Sequence, residues 1–556
     1  MPASKVSYAA SGGKGLAGGA GKIAGGGGEI AGGAGGIADS AGDSRRVGAE
    51  HSSDAAVKHL RFVDARLWPA ATLAWVLSWV FTKNPANPTM EVSGVVLVVA
   101  VIVTAAGMGI KRSHQPRVEG RHRRYPAGSA SAAIIVALLI SAATTTSAII
   151  HTRTWTSSAV LARCQQSCTI TVTPTQGSRA SGNSWRTPTE VHIAGARQAK
   201  LTLITRKPLA HPWGQPIQVH GKITFDQAPP NLGTMRHPRI SATPTRTPGS
   251  LQTLVTTLRH NWKKYLDENH HHANAWLLGM SVGDTSQLSG TERQNLRDTS
   301  TAHLVAISGT HLAIVTATLN VLLPGRGKIK ASVILSALLV MVLLVGATAS
   351  VLRAASMAAV IVLAGQVGRR GQGHSTLALV VIAWLIVDPW MARSWGFTLS
   401  VAATAGVLTA LPPGTKPMTS NSWGGKVKRK IGDLGRIAFY AHAFTAALVL
   451  AMSGTTSIWA VPANILVAPA VGITTLGALA GVLSATCKPA LTVSMVALAQ
   501  LGASWISYVT SALALLPGAH LENQSAALVA CTTMVVAAGW SIWRYRKRVQ
   551  AALEAD

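Results

Sequence analysis

Long apolar segments recur along this chain, and they constrain its fold more than any other feature. A helix needs roughly 20 mostly apolar residues to cross the hydrocarbon core of a bilayer. The segments that approach this length are 67–81, 91–110, 130–150, 303–323, 331–350, 353–368, 376–391, 395–411, 437–453, 457–485, 490–516 and 525–543. They predict a polytopic α-helical membrane protein with about twelve spans. Pro462 and Pro469 fall inside 457–485 and predict a broken or re-entrant element there.

Basic residues gather in the short loops between these segments. The chain has a formal net charge of +30, and Lys and Arg collect in the cytoplasmic loops of membrane proteins. If every apolar segment is a span, the basic loops all fall on one side. Both termini are then cytoplasmic and residues 151–302 are extracellular. That extracellular region is also basic. Membrane topology does not explain this excess of positive charge, whereas a polyanionic partner would explain it.

A change of pattern inside the extracellular region predicts a small β domain. The segments 168–174, 190–195, 199–206 and 215–225 alternate apolar and polar residues, as half-buried strands do. Several short strands in so few residues predict an OB-like barrel over 151–225, with a small sandwich as the alternative.

The remaining boundaries follow from composition and periodicity. Residues 1–60 are so rich in Gly and Ala that we expect a disordered cytoplasmic tail. N-terminal membrane helices occupy 61–150, and a linker with amphipathic helices occupies 226–302. The helix predicted at 251–266 lies either on the membrane surface or on the β domain. A second membrane domain fills 303–545, followed by a basic cytoplasmic tail at 546–556.

Two groups of metal-binding or redox-active residue types lie in the extracellular region. Cys164 and Cys168 could form a disulfide there. Two free thiols remain the alternative, because so short a loop could strain the bond. The three histidines at 270–272 lack the spacing and the carboxylate of a metal site, so we expect no metal and no cofactor.

The segment TAHLVAISGTHLAIVTATLN, residues 301–320, carries polar residues that a lipid-facing helix does not need. Ionisable residues inside a span are costly and usually mark a pathway. His303 and His311 are about two helical turns apart and would lie near one face. Ser308 and Gly309 predict either a close helix contact or a discontinuous helix whose freed backbone lines a path.

Four segments, taken together and in this order, resemble one known family. They are NAWLLGMSVGDTSQLSGTERQNLRDTSTAHLVAISGTHLAIV (274–315), ATASVLRAASMAA (347–359), VDPWMARSWGFTLSVAATAGVL (387–408) and VPANILVAPAVG (461–472). The chain resembles ComEC, the membrane channel family of bacterial DNA uptake, over about residues 155–545. The resemblance implies an extracellular OB-like domain, a competence-type transmembrane channel domain and often a C-terminal metallo-β-lactamase-like domain. No His-x-His-x-Asp-His array for that last domain occurs in this sequence, so we expect a short form without nuclease activity.

The resemblance also implies roles for residues in the matched motifs. The expected DNA path comprises His303, Ser308, Gly309, His311, Arg353, Asp388 and Asn464, and the expected channel entrance comprises Asp284, Arg293 and Arg297. Alternatives remain open: Arg353 could snorkel to the interface, Asp388 could end a helix before Pro389, and Asn464 could be structural. Bases could stack on Trp155, Trp185 or Trp213 in the extracellular domain.

The resemblance therefore implies a channel for uptake of single-stranded DNA through the bacterial plasma membrane during natural transformation, rather than an enzyme. The implied partners are single-stranded DNA, a DNA receptor outside, a separate nuclease, a second copy of the chain, and a helicase-like ATPase inside, since no Walker A motif is present. Two alternatives stay open. One is an intramembrane hydrolase with Ser308 as nucleophile and His303 or His311 as base. The other is a small-solute transporter.

Overall fold

The computed structural model describes most of the chain between residues 67 and 521. The described residues are 67–82, 128–156, 164, 166–193, 196–209, 214–225, 231–241, 250–305, 307–325, 327–346, 348–366, 373–410, 423–485 and 489–521, with single positions at 528, 532, 536 and 539. The predicted tails at 1–60 and 546–556, the predicted span at 91–110 and most of that at 525–543 lie outside them.

Helices dominate the described part. They are α1 (Trp68–Phe81), α2 (Gly128–Thr156), α3 (Ser250–Glu268), α4 (Asn274–Val282), α5 (Gly290–Asp298), α6 (Gly309–Leu322), α7 (Lys328–Val345), α8 (Ala349–Gln366), α9 (Gly373–Val387), α10 (Trp395–Ala410), α11 (Trp423–Ser453), α12 (Ala460–Ser484) and α13 (Pro489–Ala514). Short 3-10 helices lie at Ala302–Leu304 and Pro389–Arg393.

Six of the described helices are long and apolar enough to cross a membrane: α2, α7, α8, α11, α12 and α13. Helices α1, α6, α9 and α10 are apolar but shorter. The chain is therefore a mostly helical, multi-pass membrane protein, as predicted. The predicted number of twelve spans is not confirmed.

Between α2 and α3 the chain forms one sheet. Its strands are β1 (Cys168–Pro174), β2 (Arg179–Ser181), β3 (Ser184–Ile193), β4 (Ala196–Thr205), β5 (Ile217–Gly221), β6 (Ile223–Phe225), β7 (Asn231–Arg236) and β8 (Arg239–Ser241). They overlap all four predicted strand segments. The spatial order is β6-β7-β4-β3-β1-β5-β8, with β2 paired to β3. Only the pairing of β4 with β7 is parallel among these strands. The path is open, so the predicted OB-like barrel is not confirmed.

Alternation along the strands builds the core of this β domain. Ile170 and Val172 of β1 point inward, while Thr169 and Thr171 alternate with them and face out. Trp155 at the end of α2 and Trp390 in the second 3-10 helix belong to the same core, with ring centroids 5.8 Å apart. Trp155 is only 5% exposed, so the prediction that DNA bases could stack on it is wrong. Trp185 is half-buried, and Trp213 lies outside the described residues.

Helix α12 continues through Pro469, so the predicted break at this proline is wrong. Pro462 lies in the first turn, where backbone N–H groups have no partner within the helix and proline is tolerated. Pro469 removes one hydrogen bond from the helix interior. Nearby, the indole N–H of Trp505 on α13 donates to the Leu466 carbonyl at 3.0 Å. This bond ties α12 to α13 close to the proline, and neighbouring helices of this kind support a membrane helix at such a position.

The amphipathic helix α3, predicted either on the membrane surface or on the β domain, packs part of its apolar face against other helices. Trp262 is fully buried, and its ring lies so close to α12 that a Cβ added at Gly481 would be 2.7 Å from it. Its indole N–H donates to Ser281 Oγ on α4 at 2.9 Å. A glycine opposite a tryptophan allows this close approach, and it directs the apolar face of α3 into the protein.

Candidate functional site

The segment 301–320 is broken before α6. After the 3-10 helix at 302–304, Ser308 adopts an extended backbone, with φ −124° and ψ 177°, and α6 begins at Gly309. Ser308 Oγ accepts from the Thr310 N–H at 3.3 Å, and His311 Nδ1 accepts from the Ser308 N–H at 3.2 Å. Ser308 and His311 thus satisfy backbone donors at the helix start. Of the two predicted alternatives, a close helix contact or a discontinuous helix, the structure shows the discontinuity.

Three histidines meet beside the break. His303 is hydrogen-bonded to the Ser300 backbone and to the Asn464 side chain on α12. It is also close enough to His311 and to His442 on α11 for their charges to interact. The Nε2 atoms of His311 and His442 are both buried, and no described residue hydrogen-bonds them. The structure therefore brings the predicted residues His303, His311 and Asn464 together.

His442 is a member of this cluster that the sequence reasoning missed. It lies within the apolar segment 437–453 and is 7% exposed. The rule that singled out His303 and His311, that ionisable residues in spans mark pathways, applies to it equally.

Arg353 lies against the start of α6. It is 3% exposed, so the alternative in which it snorkels to the interface is wrong. A Cβ added at Gly309 would be 3.2 Å from its Nη2 atom. Its Nε donates to Ser400 Oγ on α10 at 2.8 Å, and its Nη1 contacts Met357 Sδ at 3.2 Å. Among the ion pairs of the described chain, none involves Arg353. Ser400 was not predicted, although it stands in the quoted motif at 387–408.

His303 and Thr310 are exposed at the break, whereas His311, Arg353 and His442 are buried. The residues His303, His311, Arg353, His442 and Asn464 around the start of α6 are called here the deep site.

Asp388 is placed differently from the other predicted path residues. It is buried and accepts from the Trp390 N–H at 3.1 Å, which caps the second 3-10 helix. Trp390 in turn packs into the β-domain core. This contact supports the alternative in which Asp388 ends a helix before Pro389.

The predicted entrance residues lie where the β domain meets the helical domain. Asp284 is buried and accepts from the Gly177 N–H at 3.2 Å, which ties the β1–β2 loop to the segment after α4. Arg179 of β2 donates to Thr285, and Arg293 of α5 donates to the Leu288 carbonyl. Burial and the charge of Arg293 lower the pKa of Arg179, and Asp284 offsets part of this effect.

The charge of Arg297 also lowers the pKa of Arg179. Arg297 itself is exposed. Arg179, Arg293 and Arg297 thus form a cationic group around one carboxylate, Asp284. Arg179 was not among the predicted entrance residues, because its approach to α5 depends on how the β domain docks.

Two cavities flank α3. One, of about 870 Å³, lies between α3 and the β domain and is lined by Trp185, Lys263 and His260 among others. The second, of about 930 Å³, is called here the vestibule. It is bounded by β3, β4 and β7 on one side and by Ile307, Leu343 and Val345 on the other.

Arg259 of α3 lines both cavities. Its guanidinium donates to the Leu344 and Leu343 carbonyls at 2.8 and 3.0 Å. These carbonyls belong to the last turn of α7, where a cation is favoured. Burial lowers the pKa of Arg259, and Glu190 raises it in part. Arg259 therefore joins the β domain, α3 and α7 at the wall between the cavities.

The remaining predicted residues have structural partners. Cys164 and Cys168 form a disulfide with Cα atoms 4.8 Å apart, which decides between the two alternatives. His271 Nδ1 accepts from the Ala273 N–H at 3.1 Å, and His272 Nε2 is 3.0 Å from Ser504 Oγ.

Comparison with known proteins agrees with the motifs. Residues 280–548 match the family model described as "Competence protein". ComE operon protein 3 of Bacillus subtilis (strain 168) is 31% identical over 208 residues, which is 37% of this chain and 26% of the relative. The match thus spans about a quarter of that relative's length. No solved structure matches the chain. Residues 280–548 of the chain therefore form a competence domain of the ComEC family.

Proposed function

We propose that this protein is a channel for single-stranded DNA in the bacterial plasma membrane and that it takes up DNA during natural transformation. The observation that carries the proposal is Arg353, a cation buried in the helical domain beside the N-terminus of α6. No ion pair in the described chain neutralises it. A buried charge without a partner is costly and is usually retained for function.

A phosphate group is the partner that fits this arrangement. The N-terminus of a helix favours anions, because its backbone N–H groups and dipole are positive. The Arg353 guanidinium adds a full charge at the same place. The neighbouring His303, which is exposed, and His311, which is buried, supply further polar nitrogens. A strand that carries one phosphate per nucleotide could pass such a site one group at a time.

The cations outside the deep site outline a route toward it. Arg179, Arg293 and Arg297 would attract the strand to the junction of the two domains. The vestibule follows, with threonine hydroxyls and Arg259 in its wall. Base stacking on Trp185 in the neighbouring cavity would hold the strand without sequence preference. Contacts to phosphates and stacking on base faces do not depend on the order of the bases. A route built from them could therefore take up DNA of any sequence.

The proposal includes a topology. Residues 151–302 would be extracellular and both termini cytoplasmic, with about twelve spans if the shorter apolar helices and the segments 91–110 and 525–543 also cross. The β domain would be an OB-like barrel. Its support is that β5 and β6 are separated by Lys222 alone, while β5 pairs with β1 and β6 pairs with β7. One bent strand over 217–225 would thus close the ring.

We also propose that the protein is a transport component and not itself an enzyme. Motion of the strand would then need a helicase-like ATPase inside the cell, and delivery would need a DNA receptor outside. A separate nuclease would degrade the other strand, and two copies of the chain could form a homodimer. The support for these partners is membership of the competence family.

The hydrolase alternative has weaker support. Ser308 Oγ is 3.3 Å from His311 Nδ1, which would suit a nucleophile and its base. However, His311 Nδ1 already accepts from the Ser308 backbone N–H, and no described residue bonds Nε2 to orient the ring. A catalytic histidine normally has such an orienting partner.

Transport by the purified protein tests the proposal directly. The full chain is reconstituted in vesicles with a polycationic polymer inside, which retains any strand that passes. We expect fluorescent single-stranded DNA to become protected from added nuclease, and duplex DNA of equal length to stay sensitive. Protection that is equal for duplex DNA, or equal in protein-free vesicles, would contradict the channel function.

Substitutions at Ser308 separate its role as a helix cap from its role in the path. Asn and Asp both cap helices well. We therefore expect Ser308→Asn and Ser308→Asp to melt within a few degrees of the wild type. Only Asp places a carboxylate beside Arg353, where it would neutralise the cation and repel phosphates. Uptake should persist in Ser308→Asn and be lost in Ser308→Asp; equal uptake by both variants would rule out a phosphate path at this helix start.

A further inference from the structure

The floor of the vestibule is apolar although its wall is polar. Thr189, Thr202 and Thr234 from the β domain line the wall, together with Arg259. Ile307 and Val345 line the opposite end. Among the described residues between 301 and 311, Ile307 alone borders the vestibule. The residues of the deep site do not border it.

Ile307 lines the vestibule and directly precedes the start of α6. It is 5% exposed and packs in an apolar cluster with Leu312, Leu338 and Val351. The next residue, Ser308, caps α6, and Gly309 touches Arg353. Along the chain, a residue of the vestibule floor is therefore followed at once by the helix start that Arg353 contacts.

We propose that Ile307 is a hydrophobic seal that closes the path between the vestibule and the deep site when no strand is present. This inference rests on the proposed channel function. A path wide enough for a nucleotide would leak ions if it stayed open, and an apolar constriction prevents this by excluding water. An incoming strand, held by the vestibule wall, displaces the side chain and reaches Arg353.

Ion leak through reconstituted protein tests the seal. Potassium release from vesicles is measured without DNA for the full chain carrying Ile307→Val, Ile307→Ala or Ile307→Ser. We expect leak to rise along this series, to about tenfold above wild type in Ile307→Ser, because a smaller or more polar side chain lets water into the constriction. If Ile307→Ser does not fold, the comparison of Ala with Val decides.

Ile334→Ser provides the matched control. Ile334 belongs to the same apolar cluster and is 2% exposed, but it does not border the vestibule. We expect no rise in leak from this variant. Equal leak from Ile334→Ser and Ile307→Ser, or unchanged leak throughout the Ile307 series, would overturn the seal. Leak specific to the Ile307 variants, combined with no DNA uptake by the wild type, would support the seal and refute the DNA channel.

Discussion

Uptake of single-stranded DNA is expected to fall by about a hundredfold when Arg353 is replaced by glutamine, since losing one partner of a buried charge pair costs roughly 2–5 kcal/mol. Glutamine is shorter than arginine, but its amide nitrogen reaches the position of Arg353 Nε and can still donate to Ser400 Oγ. The variant should therefore fold. What it lacks is the positive charge at the start of α6, so each phosphate that reaches the deep site would lose its main attraction.

Two further variants make this measurement specific. Arg353→Lys keeps the charge but not the planar set of donors, so its uptake should fall between those of the wild type and Arg353→Gln. Arg436→Gln removes an arginine of α11 whose side chain is 40% exposed and paired with Asp433 at 3.1 Å. An exposed pair contributes little, and uptake should be unchanged. Normal uptake by Arg353→Gln, in folded protein, would refute a role for Arg353 in the path.

A leucine at Gly406 is expected to prevent α10 and α11 from packing. A Cβ at this position would be 2.5 Å from the Tyr440 carbonyl oxygen and 3.1 Å from Ala441 Cα. These are backbone atoms, so no side-chain rotation can relieve the clash and the helices must separate. Overpacking typically costs about 1–3 kcal/mol, and a backbone clash should reach or exceed the upper end of this range. His442 lies two residues beyond Tyr440, so the deep site should also be disturbed.

Thermal unfolding of the detergent-purified protein measures the effect. Gly472→Leu is the matched control, because a Cβ at Gly472 of α12 meets no described atom within 4 Å. We expect the melting temperature to drop strongly for Gly406→Leu and to change little for Gly472→Leu. DNA uptake should follow the same order. Equal melting temperatures for the two variants would show that α10 and α11 do not pack as closely as described.

Local chemistry made part of this structure predictable. Apolar length indicates membrane helices wherever lipid is the surrounding solvent. The Ser308–Gly309 pair predicts a helix start because a serine side chain can accept a backbone N–H and so compete with a continuous helix. Apolar and polar residues alternate along 168–174 and 199–206. This alternation indicates strands, because successive side chains of a strand point to opposite faces of the sheet. In each case the deciding contact lies within a few residues of the pattern.

Other features depend on contacts distant in sequence. Periodicity shows that α3 has an apolar face, but not that Trp262 packs on Gly481, more than two hundred residues away. Pro469 predicts a break, which α12 avoids. The placement of Arg179 beside Arg293 depends on the docking of the β1–β2 loop through Asp284. Such pairs are set by tertiary packing, and the sequence of a single segment does not specify which distant segment it will contact.

The shared core of the β domain has a mechanical consequence. Trp155 ends α2 and Trp390 follows α9, and both are packed among the inward-facing side chains of the sheet. Excising the sheet as a soluble fragment would leave a gap where these two indoles stood. In the intact protein, a pull on the β domain is transmitted through the indoles to α2 and α9, so that tension applied outside the helical domain acts on its helices.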